Sequence, residues 1–260
     1  SLKKITILSN ITEIKKHTFS GCLSLSQILI PSSVKIIEEG SFSGCSSLID
    51  IEIPSQVKVI QSWTFSKCSS LKEVKIPSSL TSIGEGSFSG CSSLKQILIP
   101  STVTEICDFA FSECSQLIEI SIPSVNSIRK YVFNGCITLN RILISQYINS
   151  IQEGAFFRCS SLSQINFPSF KIEIGDNAFT QCYIILAKEC IKNGIYKSIL
   201  TKEIMESQND PEYQYNMGNV FLGKIYYEDI KRNVRGAIYY YTESARQNHL
   251  KAQNMLGHIY

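Results

Sequence analysis

The chain has 260 residues, 43% of them hydrophobic and 18% charged, with a formal net charge of +3. That length is ample for a sizeable core, and the composition is globular rather than disordered. So small a net charge excludes a basic nucleic-acid surface, and no apolar run reaches the length of a membrane span.

The chain opens on Ser1 rather than Met, without a signal-peptide pattern, and Leu2-Lys3-Lys4-Ile5 already has repeat character. A longer parent chain is expected on that side. The same is expected beyond Tyr260, where the sequence stops inside a helical pattern.

A single period dominates residues 1–186. Cys22, Cys45, Cys68, Cys91, Cys114, Cys136, Cys159 and Cys182 are 23 residues apart, with one interval of 22. Three residues before each stands a Phe, from Phe19 to Phe179. Three residues after the first seven stands a Leu, from Leu25 to Leu162, and Ile185 takes that place in the eighth unit. Past the Leu, each unit runs into an alternating segment such as Ile97-Leu98-Ile99, the mark of a strand with one buried face. Pro stands next at positions 31, 54, 77, 100, 123 and 168 and ends the strand, because it has no N–H to donate. Two apolar residues three apart come after it, such as Val34 and Ile37. A small or polar turn such as Gly84-Glu85-Gly86-Ser87 then leads to the next Phe.

One such unit cannot bury its own apolar positions. Stacking the units puts Phe on Phe, Cys on Cys and Leu on Leu. Eight coils about 4.8 Å apart make a rod on the order of 35 Å long.

The F-x-x-C-x-x-L-x-x-I-x-I-P unit resembles the BspA-like, or Treponema-pallidum-type, leucine-rich repeat over residues 1–186. Ser145 stands where Pro is expected, the fifth interval is short near Val125-Asn126, and the last unit reads Tyr183-Ile184-Ile185. The resemblance implies a protein-binding solenoid of the kind found among surface antigens and adhesins of oral bacteria and anaerobic protists. The composition, rich in Lys, Ile and Ser, leans towards a protist.

After Cys182 the period fails. Residues 187–208 carry apolar positions at helical spacing, among them Ile191, Ile195 and Ile199, and are expected to form a helical cap and connector. Asn209-Asp210-Pro211-Glu212 reads as a helix start, with an Asn or Asp cap, Pro in the first turn and an acid at the positive end of the dipole. Over 209–260 the sequence resembles Sel-one-like repeats, relatives of the tetratricopeptide repeat. The matches are Gly218, Phe221, Ala237, Tyr240, Ala245, Ala252, Gly257 and Tyr260, and the departures are Gly236, Ser244 and Asn248. This resemblance implies α-α hairpins that scaffold complexes. The expected fold class is therefore an α+β repeat protein, a β-rich leucine-rich-repeat solenoid followed by Sel-one-like hairpins.

No chemistry of a catalytic kind emerges. Cysteines at a strict 23-residue spacing offer no clustered metal ligands and read as a buried thiol column, with Cys107 and Cys190 off it. Unpaired thiols favour a reducing compartment, whereas the repeat resemblance favours the cell surface. His17 stands where other units carry Gly or Ala before the Phe and reads as a surface substitution. His249 and His258 have no nucleophile beside them, and no phosphate-binding glycine loop is present. Neither enzyme activity nor a cofactor or metal is expected.

The candidate site is the outward strand face. Side chains alternate, so two positions per unit point outward beside buried neighbours. These are Gln27 and Leu29, Asp50 and Glu52, Glu73 and Lys75, Gln96 and Leu98, Glu119 and Ser121, Arg141 and Leu143, and Gln164 and Asn166. Asp50, Glu52, Glu73 and Glu119 form an acidic middle, with Leu29, Leu98 and Leu143 around it. The reading is a monomeric, non-enzymatic scaffold or antigen-like protein that binds a protein partner through this face and its helical repeats. The alternative is a regulatory or targeting region of a larger enzyme, such as a kinase.

Overall fold

A computed structural model of the chain describes residues 2–8, 10–122, 124–165, 172–182, 209–221 and 234–259. The expected connector 187–208, together with Asn166, Cys190 and Tyr260, lies outside them.

The coils form as the period demands, and each contributes two short parallel ladders. The first comes after the Leu. Lys4–Thr6 pairs with Gln27–Leu29, and Asp50–Glu52 with Glu73–Lys75. Glu119–Ile122 pairs with Arg141–Ile144, which pairs with Gln164–Ile165. Between the second and third groups, Leu98 makes only a single bridge to Ser121. The second ladder comes after the Pro turn. It joins Glu13–Ile14 to Ile36–Ile37, Val59–Ile60 to Ser82–Ile83 and Glu105–Ile106, and Ser127–Ile128 to Ser150–Ile151 and Glu173–Ile174. Ser145, in place of the strand-ending Pro, is buried and its hydroxyl accepts from the Tyr147 N–H at 3.0 Å, so a side chain closes the turn there.

Between the ladders runs the core. The eight Phe rings stack in sequence, with centroids 5.2 to 5.8 Å apart and planes within 18° of parallel. From Phe42 to Phe179 they are fully buried, as are the Leu side chains from Leu48 to Leu162. Each column thiol from Cys45 to Cys182 donates to a Phe carbonyl of the preceding coil. Cys91 Sγ, for example, lies 3.2 Å from the Phe65 oxygen. That same oxygen accepts the Cys68 N–H at 3.2 Å, so both of its lone pairs are used. The column positions therefore require a small apolar side chain that is also a donor, which a Cys is and an Ala is not.

Two residues per coil adopt left-handed backbone, the second before and the second after the Phe. Before the Phe the series is His17, Gly40, Trp63, Gly86, Phe109, Tyr131, Gly154 and Asn177, with φ between 54° and 60°. His17 therefore belongs to this series, and its neighbours there are Gly, aromatic rings or Asn rather than Gly and Ala alone. The φ > 0 turn explains the glycines.

Three short helices make up what is described of the C-terminal part: α1 (Pro211–Phe221), α2 (Val234–Arg246) and α3 (Leu250–Ile259). Asp210 caps α1 as expected, its Oδ1 accepting the N–H groups of Glu212 at 2.8 Å and Tyr213 at 3.1 Å. A Cβ on Gly218 would lie 2.5 Å from the buried Tyr241 ring, so glycine is what lets α1 and α2 approach. The Tyr241 hydroxyl bonds Asn219 Oδ1 at 2.9 Å, and Asn248 makes the left-handed turn between α2 and α3. Tyr213 of α1 is buried in the same continuous apolar cluster as the coils.

Candidate partner-binding face

The first ladder sets the geometry of this face. Its register aligns the outward residues in two columns. Asp50 lies opposite Glu73 and Glu52 opposite Lys75, while Glu119 lies opposite Arg141 and Ser121 between Leu98 and Leu143. All the candidate positions from Gln27 to Gln164 are exposed, and the residues between the outward pairs are buried or half-buried. Asn166 lies outside the described residues.

Charge on the face is more balanced than the residue types alone imply. Lys75 Nζ lies 3.7 Å from Glu52 Oε2, and Glu119 has Arg141 as its lateral neighbour. The acidic middle contracts to Asp50 beside Glu73, two like charges in register. The Glu52–Lys75 pair is solvated on both sides and is worth no more than about 1 kcal/mol.

Apolar exposure is concentrated elsewhere. Leu98 is 87% exposed, Leu29 64% and Leu143 39%. Gln96, Leu98, Glu119, Ser121, Arg141 and Leu143 line one shallow groove of about 490 Å³, where the ladder thins to the single Leu98–Ser121 bridge. The small Ser121 leaves a notch between two leucines one coil to either side. Leu29, Glu52 and Lys75 line a second groove of about 470 Å³ towards the N-terminal coils.

Burial pushes the thiols of Cys45, Cys68, Cys91, Cys114, Cys136 and Cys159 upward in pKa, Cys45 to about 11 and Cys114 to about 12, so these six are neutral core groups. Half-buried Cys107 is also shifted up, by burial first and then by Glu105. His249 Nε2 lies 2.7 Å from Glu212 Oε2, which ties the start of α3 to the start of α1. Among the described residues there is no group of three or more metal-ligating side chains, and no helix is long and apolar enough to cross a membrane.

A stack of 22- or 23-residue parallel coils with Phe, Cys and Leu columns defines a leucine-rich-repeat β-solenoid. The sequence profile of the BspA type leucine rich repeat region matches residues 1–106 and 65–186, and the chain belongs to that family. A leucine-rich repeat protein from Bacteroides ovatus is 34% identical over 69% of this chain, with a TM-score of 0.67. This chain spans about half, 49%, of that protein. The T. pallidum leucine rich repeat protein is 28% identical, covering 76% of this chain and 82% of its own, with a TM-score of 0.55. A leucine rich cell surface protein from Faecalibacterium prausnitzii is 30% identical over 71% of this chain and 59% of its own, with a TM-score of 0.51. No curated protein matches the chain significantly. The family and these structures are those of repeat proteins, a class that typically mediates protein interactions.

The left-handed aromatic series is the element that residue patterns alone did not bring out. Its signal was present: at His17, Trp63 and Tyr131 a ring stands two residues before the Phe and is succeeded in the next unit by a Gly at the same place, while Phe109 is succeeded by Tyr131.

Proposed function

We propose that the chain is a non-enzymatic interaction module whose first-ladder face binds a protein partner, with the Leu98–Leu143 groove as its anchor point. The supporting observation is Leu98. A leucine 87% exposed at a single parallel bridge, beside a notch and ringed by Gln96, Glu119 and Arg141, offers an apolar anchor with a polar rim. The other outward residues from Gln27 to Gln164 act as the rim, and Asp50 with Glu73 favours a basic patch on the partner.

Residues 1–186 are assigned to the solenoid, 187–208 to a connector and 209–260 to Sel-one-like hairpins that act as an adaptor. The close α1–α2 packing over Gly218, the buried Ala237 and Ala252, and the left-handed Asn248 support the hairpin reading. A scaffold or surface-antigen role follows from this reading.

The test compares proteins captured by the wild type with those captured by Leu98→Asp/Leu143→Asp, using Lys58→Asp on another face as the control. The double variant should keep its far-ultraviolet circular dichroism and lose a partner that the control retains. Equal capture by all three sinks the groove as the anchor.

A further inference from the structure

A third groove, of about 510 Å³, runs along the N-terminal coils where each turns from the Cys column into the first ladder. It shares no lining residue with the Leu98 and Leu29 grooves. Lys3, Ser26, Ile49 and Lys72 line it, each standing just before a first-ladder strand. Backbone hydrogen bonds hold these four in one file. The Ser26 N–H donates to the Lys3 oxygen at 2.8 Å, Ile49 to Ser26 at 3.2 Å and Lys72 to Ile49 at 2.8 Å. Lys3 and Lys72 are therefore three coils apart, roughly 14 Å, with Ile49, 42% exposed, between them. The rest of the lining is Ser24, Ser47, Ser70 and Ser93, two residues after the Cys of successive coils.

This lining is cationic and contains no carboxylate. Lys15, Lys16, Lys75 and Lys130 each sit beside a glutamate, whereas among the described residues Lys3 and Lys72 have no ion-pair partner. The hydroxyls of the four half-buried serines likewise make no hydrogen bond among the described residues. Thr138, at the same place in a later coil, instead spends its hydroxyl on the Ser115 and Leu117 carbonyls at 2.8 and 2.9 Å. The carboxylates nearest in sequence, Asp50 and Glu73, occupy outward strand positions outside the lining.

We propose that this groove docks an extended segment of a partner protein with the pattern acid–x–apolar–x–acid. An unpaired ammonium group three coils from another, with no carboxylate in the lining, is complementary to two spaced anions. In an extended chain alternate side chains share a face, and residues four apart are separated by roughly 14 Å, the interval from Lys3 to Lys72. The apolar residue between the acids then meets Ile49. Hydroxyls both donate and accept, so the serines suit the N–H and C=O groups of a peptide backbone. A uniformly anionic polymer fits less well. It sets a charge on Ile49 and runs beside Asp50 and Glu73, which repel it.

The probe is the amidated peptide Glu-Thr-Leu-Thr-Glu, carrying a neutral fluorophore at its N-terminus and added to the whole chain at low ionic strength. Its anisotropy should rise saturably, and added salt should weaken the binding. Lys3→Gln/Lys72→Gln should weaken it about tenfold, as the loss of two solvated ion pairs requires. Lys35→Gln/Lys58→Gln removes the same charge from the second-ladder side and should leave binding unchanged. All four lysines are exposed, so both variants keep the fold. The peptide Glu-Leu-Glu, whose acids are too close to reach both lysines, should bind about tenfold more weakly than the probe. The proposal is overturned if the probe does not bind at millimolar concentration, or if the two double variants bind it equally. It is equally overturned if Glu-Leu-Glu binds as well as the probe, or if heparin binds through Lys3 and Lys72 and the probe does not.

Discussion

At Cys91 a thiol meets three demands at once. It is small enough for the column and apolar enough for full burial, and it donates to Phe65 in the coil before it. Serine would satisfy the carbonyl but is more costly to bury, and alanine would leave that lone pair empty. Ser87 shows the opposite case. Its hydroxyl is buried without a partner among the described residues, whereas the equivalent Thr64 hydroxyl bonds the Gln61 carbonyl at 2.7 Å, and the next coil uses Ala110. Ser87→Ala removes an unsatisfied polar group and should leave stability unchanged or raise it by about 1 kcal/mol. Urea unfolding measures this, and a loss of that size would place a hidden partner at Ser87. Gly86 is constrained twice, by a φ of 54° and by the Trp63 ring in the position of its absent Cβ.

At the scale of elements, the strands are short and none is a stable unit alone. Hydrogen bonds between coils continue through the turns as well. The amides of Phe88 and Gly90 donate to Ala110 and Ser112 of the next coil at 2.9 and 2.7 Å. Where residues 96–99 pair through one bridge only, the first-ladder face opens into the Leu98 groove. The start of α1 depends on the Asp210 cap. Asp210→Ala should destabilise that end by about 1 kcal/mol. Amide hydrogen exchange at Glu212 and Tyr213 should accelerate by about fivefold. Unchanged protection there would mean that the helix end is held by packing instead.

For the whole molecule, the stack makes stability collective, because each coil contributes mainly through its neighbours. That gives the thiol column a consequence at alkaline pH. Burial raises the pKa of Cys45, Cys68, Cys91, Cys114, Cys136 and Cys159, whereas unfolded thiols ionise near their ordinary value of about 8.5. A raised folded pKa means that stability is fully present below the unfolded value and falls as pH climbs above it. Each thiol removes about 1.4 kcal/mol per pH unit in that window, so six remove on the order of 8, as much as a typical domain possesses. Circular dichroism should show cooperative unfolding within one or two units above about pH 8.5. Cys91→Ala, compared at equal starting stability, should make the decline shallower. A protein that stays folded at pH 12 would contradict thiol burial.

The period, the columns, the inward and outward strand positions and the Asp210 cap were all legible in the order of residues. Each is a local pattern repeated in register, and a one-dimensional stack turns such a pattern directly into contacts. The outward identities of Leu29, Leu98 and Leu143 were legible for the same reason. How those outward residues combine was settled in three dimensions. Cross-strand register set Lys75 against Glu52 and Arg141 against Glu119, and the ladder thinned at Leu98 so that a groove formed. The role of His17, Trp63, Phe109 and Tyr131 was likewise a matter of packing. A ring lying over glycine in the next coil depends on a left-handed backbone and a neighbour 22 or 23 residues away, neither of which a residue type announces on its own.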